Sequence, residues 1–205
     1  MTRIKICGIT NPADALHAAS MGAHALGFIF APSPRQVSPE IAAAIIRELP
    51  AFVQTVGVFV NAAENEIKEI LEQTGLDLVQ FHGRETPEFC GRFAPRAIKS
   101  LSMDKGFDLD LAQSFSATTR AILLDSGGGG TGRAFNWDLI PKELDREKLI
   151  LAGGLNRENV IEAIHKVKPW AVDASSVLES APGRKDLDKM SDFIANVKEA
   201  DHATG

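Results

Sequence analysis

The stretch "IKICGITNPADALHAASMGAHALGFIF", residues 4–30, decides the fold. It opens on an isoleucine-rich run, 4–9, expected of a strand buried on both faces. Asn11 and Pro12 follow. Asparagine accepts the N–H groups left free at a helix start, and proline suits the first helical turn. Residues 13–20 are therefore expected as a helix, and the apolar run 25–30 returns the chain to a strand. Strand, helix and strand in so short a span read as a parallel crossover unit.

One residue in this unit stands out. Cys7, one of only two cysteines, ends the first strand beside Gly8. Strand alternation puts Lys5 and Cys7 on one face and Ile4 and Ile6 on the other. The isoleucines suit the helix-packing side, so Lys5 and Cys7 are expected to point inward. A small buried hydrophobe is the ordinary use of a lone cysteine. A cation one layer below the thiol would instead favour a reactive thiolate.

The unit repeats along the chain. Further strands are expected at 55–60, 76–82, 97–101, 120–125, 149–152 and 170–174. Between them Ser38-Pro39-Glu40 starts a helix over 41–49. Residues 62–74 carry Ile67, Ile70 and Leu71 at helical spacing, with Gly75 as a stop. Thr86-Pro87-Glu88 opens another helix, 108–115 is a short one, and 137–144, 156–166 and 186–200 complete the set. Strict alternation requires a parallel sheet with crossover helices, so the class is α/β. Eight such units predict a single-domain (β/α)8 TIM barrel over residues 1–205, with 201–205 as a frayed tail. A doubly wound open sheet is the alternative.

Bulk properties narrow the function. The chain has 205 residues, is 44% hydrophobic and carries a formal charge of -5. No general nucleic-acid partner is expected, because such proteins present a basic face. No apolar window reaches membrane-spanning length, and the start "MTRIKICGIT" lacks a signal-peptide pattern. Cys7 and Cys90 match no zinc spacing and no disulfide framework, so no metal is expected. Cys90 is expected on the outer side of the fourth helix, too remote to serve as a redox partner. Cytoplasm is the expected location.

In a barrel, sites lie where strands end and the following loops begin. Cys7, His82, Asp125, Gly153-Gly154 and Ser175-Ser176 all fall there. Asp125 ends "RAILLD", and the parity of Ala121, Leu123 and Asp125 allows an inward side chain. It is either a turn-capping residue or a partner for Cys7 in acid–base work. "SGGGGTGR", 126–133, is a flexible loop or a lid that lets a ligand approach the backbone. "LAGGLNREN" and "VDASSVLES" follow the seventh and eighth strands, where barrels commonly hold phosphate on backbone N–H groups. Arg35 lies on a loop stiffened by Pro32 and Pro34, placed to meet a carboxylate or phosphate, or simply solvated. His82 is a ligand, a donor or a satisfied strand-end histidine.

These segments, taken in order, resemble the phosphoribosylanthranilate isomerase family of tryptophan biosynthesis. The resemblance rests on "KICGIT", "LGFIFAPSPRQVSPE", "VGVFVN", "VQFHG", "LLDS", "GGTGRAFNW", "LAGGLN" and "VDASS…PGRKD". It implies a (β/α)8 barrel without a cofactor that acts on a small phosphosugar anthranilate. It implies an Amadori rearrangement with Asp125 as general acid and Cys7, as thiolate, as general base. Arg35 would meet the anthranilate carboxylate, and the Gly153-Gly154 and Ser175-Ser176 loops the phosphate. Asp173 shares parity with Ser175 and would support the site, and His82 would contact the substrate. Lys5 is the expected cause of a populated thiolate, and Asp125 must hold its proton near neutral pH. A monomer is expected rather than a homodimer.

The chain departs from the family pattern at three points. Phe81 stands where leucine is more usual, and four glycines follow Ser126. Val177 stands where glycine is usual after "DASS". Valine disfavours positive φ, so the second phosphate loop is expected to aim its N–H differently. Two rival readings follow from the residues. The related histidine-pathway sugar isomerase uses two aspartates, which Cys7 argues against. A non-catalytic binding barrel would function without Cys7.

Overall fold

The computed structural model describes residues 1–104, 106–127 and 134–202. The opening unit forms as expected: strand β1 (Arg3–Cys7), helix α1 (Pro12–Met21) and strand β2 (Ala25–Ile29). The Asn11 side chain accepts from the Asp14 N–H, Pro12 occupies the first turn, and Gly22 closes the helix at φ 98°. Lys5, Ile6 and Cys7 lie opposite Ala25, Leu26 and Gly27 in parallel register.

Six more strands continue the pattern: β3 (Gln54–Phe59), β4 (Leu78–Phe81), β5 (Ala97–Ser102), β6 (Ala121–Asp125), β7 (Leu149–Leu151) and β8 (Ala171–Ala174). Each pairs in parallel with the next, and β8 pairs back onto β1 to close the barrel. The open-sheet alternative is excluded by that closure. Several strands are shorter than expected at the C-terminal end. Ile9, His82 and Ala152 belong to the loops, where apolar or polar character alone does not mark the last ladder bond.

Helices α2 (Pro39–Glu48), α3 (Glu64–Thr74), α4 (Pro87–Gly91), α5 (Leu109–Thr118), α6 (Val160–Val167) and α7 (Leu187–His202) surround the barrel. The helix expected at 137–144 is corrected to a single 3-10 turn, Trp137–Leu139. Pro141 has no N–H to continue the ladder, and the chain turns away before it. A second 3-10 turn, Arg146–Lys148, leads into β7. The tail is also corrected: α7 runs through His202, and Thr2 is tied to Asp201 by bonds of 2.7 and 2.9 Å. Residues 203–205 of the expected frayed end lie outside the described residues.

Two apolar layers result from strand alternation. Ile4, Ile6, Leu26, Phe28, Val79 and Phe81 point outward against the helices. Val56, Leu78, Ile98, Leu123 and Ile150 fill the barrel's inside. Cys90 is not on an outer face: it is fully buried in the helix-side core, since α4 is little more than one turn and turns this side chain inward. Burial pushes its thiol up to about 11. No helix among the described residues is long and apolar enough to cross a membrane. A short antiparallel hairpin, β9 (Glu179–Ala181) with β10 (Arg184–Lys185), follows β8 and was not expected.

Candidate active site

The C-terminal ends of the strands surround a cavity of about 320 Å³. All nine expected site residues line it: Cys7, Arg35, His82, Asp125, Gly153, Gly154, Asp173, Ser175 and Ser176. They come from six parts of the chain and converge because their strands end at the same rim. Gln80, Ser126 and the apolar Val58, Leu123 and Ala152 complete much of the floor and wall.

Cys7 ends β1 with its side chain buried at 6% exposure. A neighbour in β2 makes room for it: a Cβ at Gly27 would lie 2.7 Å from the Cys7 Sγ. The Gly8 and Ile9 N–H groups both donate to the Gly27 carbonyl at 3.0 Å, which turns the chain sharply after the cysteine. Gly8 adopts φ +77°, and a Cβ there would meet Arg35 Cδ at 2.8 Å and Ser175 Oγ at 3.1 Å. Glycine is thus required by both backbone and crowding.

Lys5 pulls the Cys7 thiol down as expected, but burial outweighs it. Its ammonium donates to Asp173 Oδ2 at 2.9 Å within the barrel. Burial works against the Lys5 charge, but Asp173 and Cys7 together outweigh it and hold the ammonium above its ordinary value. Burial is the largest influence on Cys7 and pushes its thiol up, with Lys5 and Lys185 pulling back and Asp173 adding to the rise. The net shift is upward, opposite to the expectation, because burial, aided by Asp173, exceeds the pull of the two lysines. Asp173 Oδ1 and Gln80 Oε1 are buried without a protein partner. Both residues line the cavity and leave acceptors for a ligand's hydroxyl groups.

Asp125 ends β6 facing the same space. Its Oδ1 accepts from the Ser126 N–H at 2.7 Å and from Ser126 Oγ at 3.3 Å. His82 Nε2 stands 3.6 Å from Oδ2. Burial lowers the imidazole's affinity for a proton, with Asp125 pulling the other way. Gln80 Nε2 is 3.5 Å from His82 Nδ1. The loop carrying His82 rests on a buried pair in which Lys99 donates to Glu85 at 2.8 Å and to the Gly83 carbonyl at 2.7 Å. Glu85 in turn accepts from the N–H groups of Asn61 and Gly83.

The loops after β7 and β8 form the opposite wall. Gly153 and Gly154 adopt φ 83° and 69°, and Asn159 Nδ2 holds the Gly154 carbonyl at 3.0 Å. Ser175 precedes a 3-10 turn, Ser176–Leu178. Val177 lies inside that turn and stays outside the left-handed region that valine disfavours. A 3-10 turn suits valine as well as glycine. The N–H groups of Gly153, Gly154, Ser175 and Ser176 meet no acceptor among the described residues. Of the glycine loop 126–133, residues 128–133 lie outside the described residues; Ser126 and Gly127 belong to the described part.

Arg35 is not solvated. Its Nε and one terminal nitrogen donate to the two Glu179 carboxylate oxygens at 2.7 and 2.8 Å. These hydrogen bonds hold the guanidinium above its ordinary value. The remaining terminal nitrogen is left for the cavity. Lys185, on β10, donates to Glu179 Oε1 at 3.2 Å and to the Cys7 carbonyl at 2.7 Å. Glu179, Lys185, Gln80 and Gly27 were assigned no role from sequence. Glu179 is 144 positions from Arg35, and no local pattern announces such a pairing. Among the described residues, no group of three or more His, Cys, Asp or Glu gathers as a metal site would require.

Fold and cavity define a (β/α)8-barrel enzyme that receives a small polar ligand at the C-terminal mouth of the barrel. Comparison with known proteins then places it. The family model for N-(5'-phosphoribosyl)anthranilate (PRA) isomerase matches residues 4–196. An N-(5'-phosphoribosyl)anthranilate isomerase of Pseudomonas putida is 52% identical over 97% of this chain and 98% of its own. The crystal structure of the Thermotoga maritima phosphoribosyl anthranilate isomerase superposes with a TM-score of 0.89 at 44% identity, covering 97% of this chain and all of that one. A further isomerase structure, in complex with reduced 1-(o-carboxyphenylamino)-1-deoxyribulose 5-phosphate, gives 0.87 at 43% identity over 97% of this chain and 100% of its own. The chain belongs to the phosphoribosylanthranilate isomerase family, the isomerases of tryptophan biosynthesis.

Proposed function

We propose that the chain converts N-(5'-phosphoribosyl)anthranilate to 1-(2-carboxyphenylamino)-1-deoxyribulose 5-phosphate, with Asp125 as general acid and Cys7 as general base. The observation that carries this reading is the convergence of Cys7, Asp125, Arg35 and both late loops on one cavity. In the first step Asp125 gives its proton to the ribose ring oxygen. The C1–O bond breaks as the anilino nitrogen's lone pair forms the iminium. In the second step the Cys7 thiolate removes the C2 proton, and the electron pair of that C–H bond neutralises the iminium to give an enolamine. Tautomerisation of the enolamine yields the ketone.

The site's ends would hold the substrate's two anionic groups. The Arg35 nitrogen not committed to Glu179 would meet the anthranilate carboxylate. The N–H groups of Gly153, Gly154, Ser175 and Ser176 would meet the phosphate, as backbone donors do at such loops. Asp173 and Gln80 would accept from ribose hydroxyls, and His82 would donate toward Asp125 or the substrate. Anchoring at both ends lowers the entropic cost of bringing the sugar between acid and base. No cofactor enters these steps. The same reading takes residues 1–205 as one domain, a monomer in the cytoplasm.

Loss of substrate fluorescence on adding the purified protein tests the activity directly. Turnover by wild type and its loss in Cys7→Ala and Asp125→Asn are expected. A folded wild type without turnover overturns the reading. Sedimentation at the mass of one chain is expected; a mass of two chains replaces the monomer.

A further inference from the structure

Lys185 is fully buried, and the proposed chemistry makes no use of it. A buried ammonium is costly unless its protons find acceptors. Here all three do: the Cys7 carbonyl at 2.7 Å, the Ser175 carbonyl at 3.1 Å and Glu179 Oε1 at 3.2 Å. The three acceptors belong to three different parts of the site. Cys7 ends β1 and Ser175 follows β8, the two strands that close the barrel. Glu179 lies on β9 and grips the Arg35 guanidinium through both carboxylate oxygens. The lysine's own N–H donates to Asp14 Oδ2 on α1 at 2.8 Å, so the ammonium is carried on a fixed backbone.

Such an arrangement exceeds what stability alone asks of a lysine. Any buried carbonyls would satisfy the ammonium, yet these lie one bond network away from the thiol, the late loop and the arginine. The charged groups around it are Glu179, Arg35 and Cys7, with Asp14 at its backbone. Arg35 and Ser175 also close on Gly8, where an added Cβ would lie 2.8 Å from Arg35 Cδ and 3.1 Å from Ser175 Oγ.

We propose that Lys185 is a positioning residue of this isomerase: it holds the Cys7 backbone, the Ser175 loop and, through Glu179, the Arg35 guanidinium in one fixed frame. The inference rests on the roles proposed above for those three groups. The lysine touches neither substrate nor reacting atoms; it sets the distance between the base and the two anion-binding ends. Its charge also lies close enough to favour the Cys7 thiolate.

Two variants and two readouts test this. In Lys185→Met, kcat/KM falls roughly 10²-fold, with KM raised and kcat lowered together, the size expected of misplaced reacting groups. The pH midpoint for alkylation of Cys7 by iodoacetamide, followed by mass spectrometry, moves upward in the same variant. Glu179→Gln keeps both carbonyl contacts of Lys185 while weakening its third bond and the grip on Arg35, so KM rises about tenfold, the value of one charged hydrogen bond, with kcat and the alkylation midpoint near wild type. Lys68→Met, which removes an exposed ion pair with Glu64, leaves all three readouts unchanged. A folded Lys185→Met with wild-type KM, kcat and alkylation midpoint overturns the proposal. Should that variant not fold, an unchanged KM in Glu179→Gln overturns it instead. Alkylation needs no turnover: an inactive wild type with a shifted midpoint in Lys185→Met would refute the isomerase reading and support the frame.

Discussion

Lys5 and Asp173 face each other across the β1–β8 seam and form an ion pair of 2.9 Å sealed inside the barrel. The pair sits one side-chain layer below Cys7 and fixes one carboxylate oxygen, while the other is buried without a protein partner. Removing one partner leaves a buried charge without compensation. Lys5→Met is expected to lower stability by about 3–5 kcal/mol, measured by urea unfolding. Replacing both residues, Lys5→Met with Asp173→Leu, should recover most of that stability without recovering turnover. Equal activity in the double variant would show that Asp173 does not serve the substrate.

The raised Cys7 thiol predicts a specific pH profile. Burial keeps the thiol protonated near neutral pH, so the thiolate is a minority species in the free enzyme. The kcat/KM profile should rise with pH, with its midpoint above the ordinary thiol value of 9.0. In Lys5→Met the midpoint should move higher still, since the cation that pulls the thiol down most is gone. A rising limb centred near neutrality in the wild type would remove Cys7 as its source.

Gly153 tests how closely the late loop and the acid are fitted. At φ +83°, an added Cβ would lie 2.5 Å from the Ser126 nitrogen and 3.0 Å from Asp125 Oδ1. Gly153→Ala is expected to lower kcat roughly 10²-fold by displacing the carboxylate. Gly75→Ala is the control: it shares the positive φ, at +72°, but meets no atom within 4 Å. It should cost about 1–2 kcal/mol of stability and leave kcat unchanged. Equal kinetics for the two variants would show that φ strain alone matters.

Arg35→Lys should fail to rescue the arginine. The two parallel bonds to Glu179 need a planar fork, and an ammonium offers a single point of attachment. Steady-state kinetics should show KM raised by about 10–100-fold, the range for a lost charged hydrogen bond, with a smaller change in kcat. A lysine variant with wild-type KM would place the carboxylate elsewhere.

Cys90 predicts alkaline sensitivity apart from activity. Its thiol titrates near 11 in the fold, against an ordinary 9.0. A group whose folded value is raised contributes stability below the unfolded value and loses it as pH rises through the folded one. Unfolding free energy should therefore fall between pH 9 and 11, by roughly 1–3 kcal/mol from this group. In Cys90→Ala the baseline stability is lower but the slope over that interval is shallower. Parallel slopes would assign the loss to other groups.

Most of the candidate site was legible because it depends on local rules. Alternation along 4–9 turned Lys5 and Cys7 inward, and the ordinal places of Gly153-Gly154 and Ser175-Ser176 put them at the rim. The segment 137–144 misled because its apolar residues carry a helical period, while Pro141 interrupts the ladder that the period requires. Cys90 misled for a related reason: in a helix of one turn, the direction of a side chain follows the packing of its neighbours and not a periodic face.

What the sequence by itself determined is the order of strands and helices, the barrel they close, and which side chains reach its mouth. Those follow from periodicity and from the fixed handedness of crossovers, both local in origin. Only the tertiary structure decided which charges meet. Lys5 was free to pair with Cys7 or with Asp173, and closure of β1 onto β8 set it opposite the aspartate. Arg35 met Glu179, and Lys185 met Cys7, only after the hairpin beyond β8 folded back over the seam. Ion pairs act over a few ångströms of space, whatever the distance along the chain, so their partners are fixed by the closed fold.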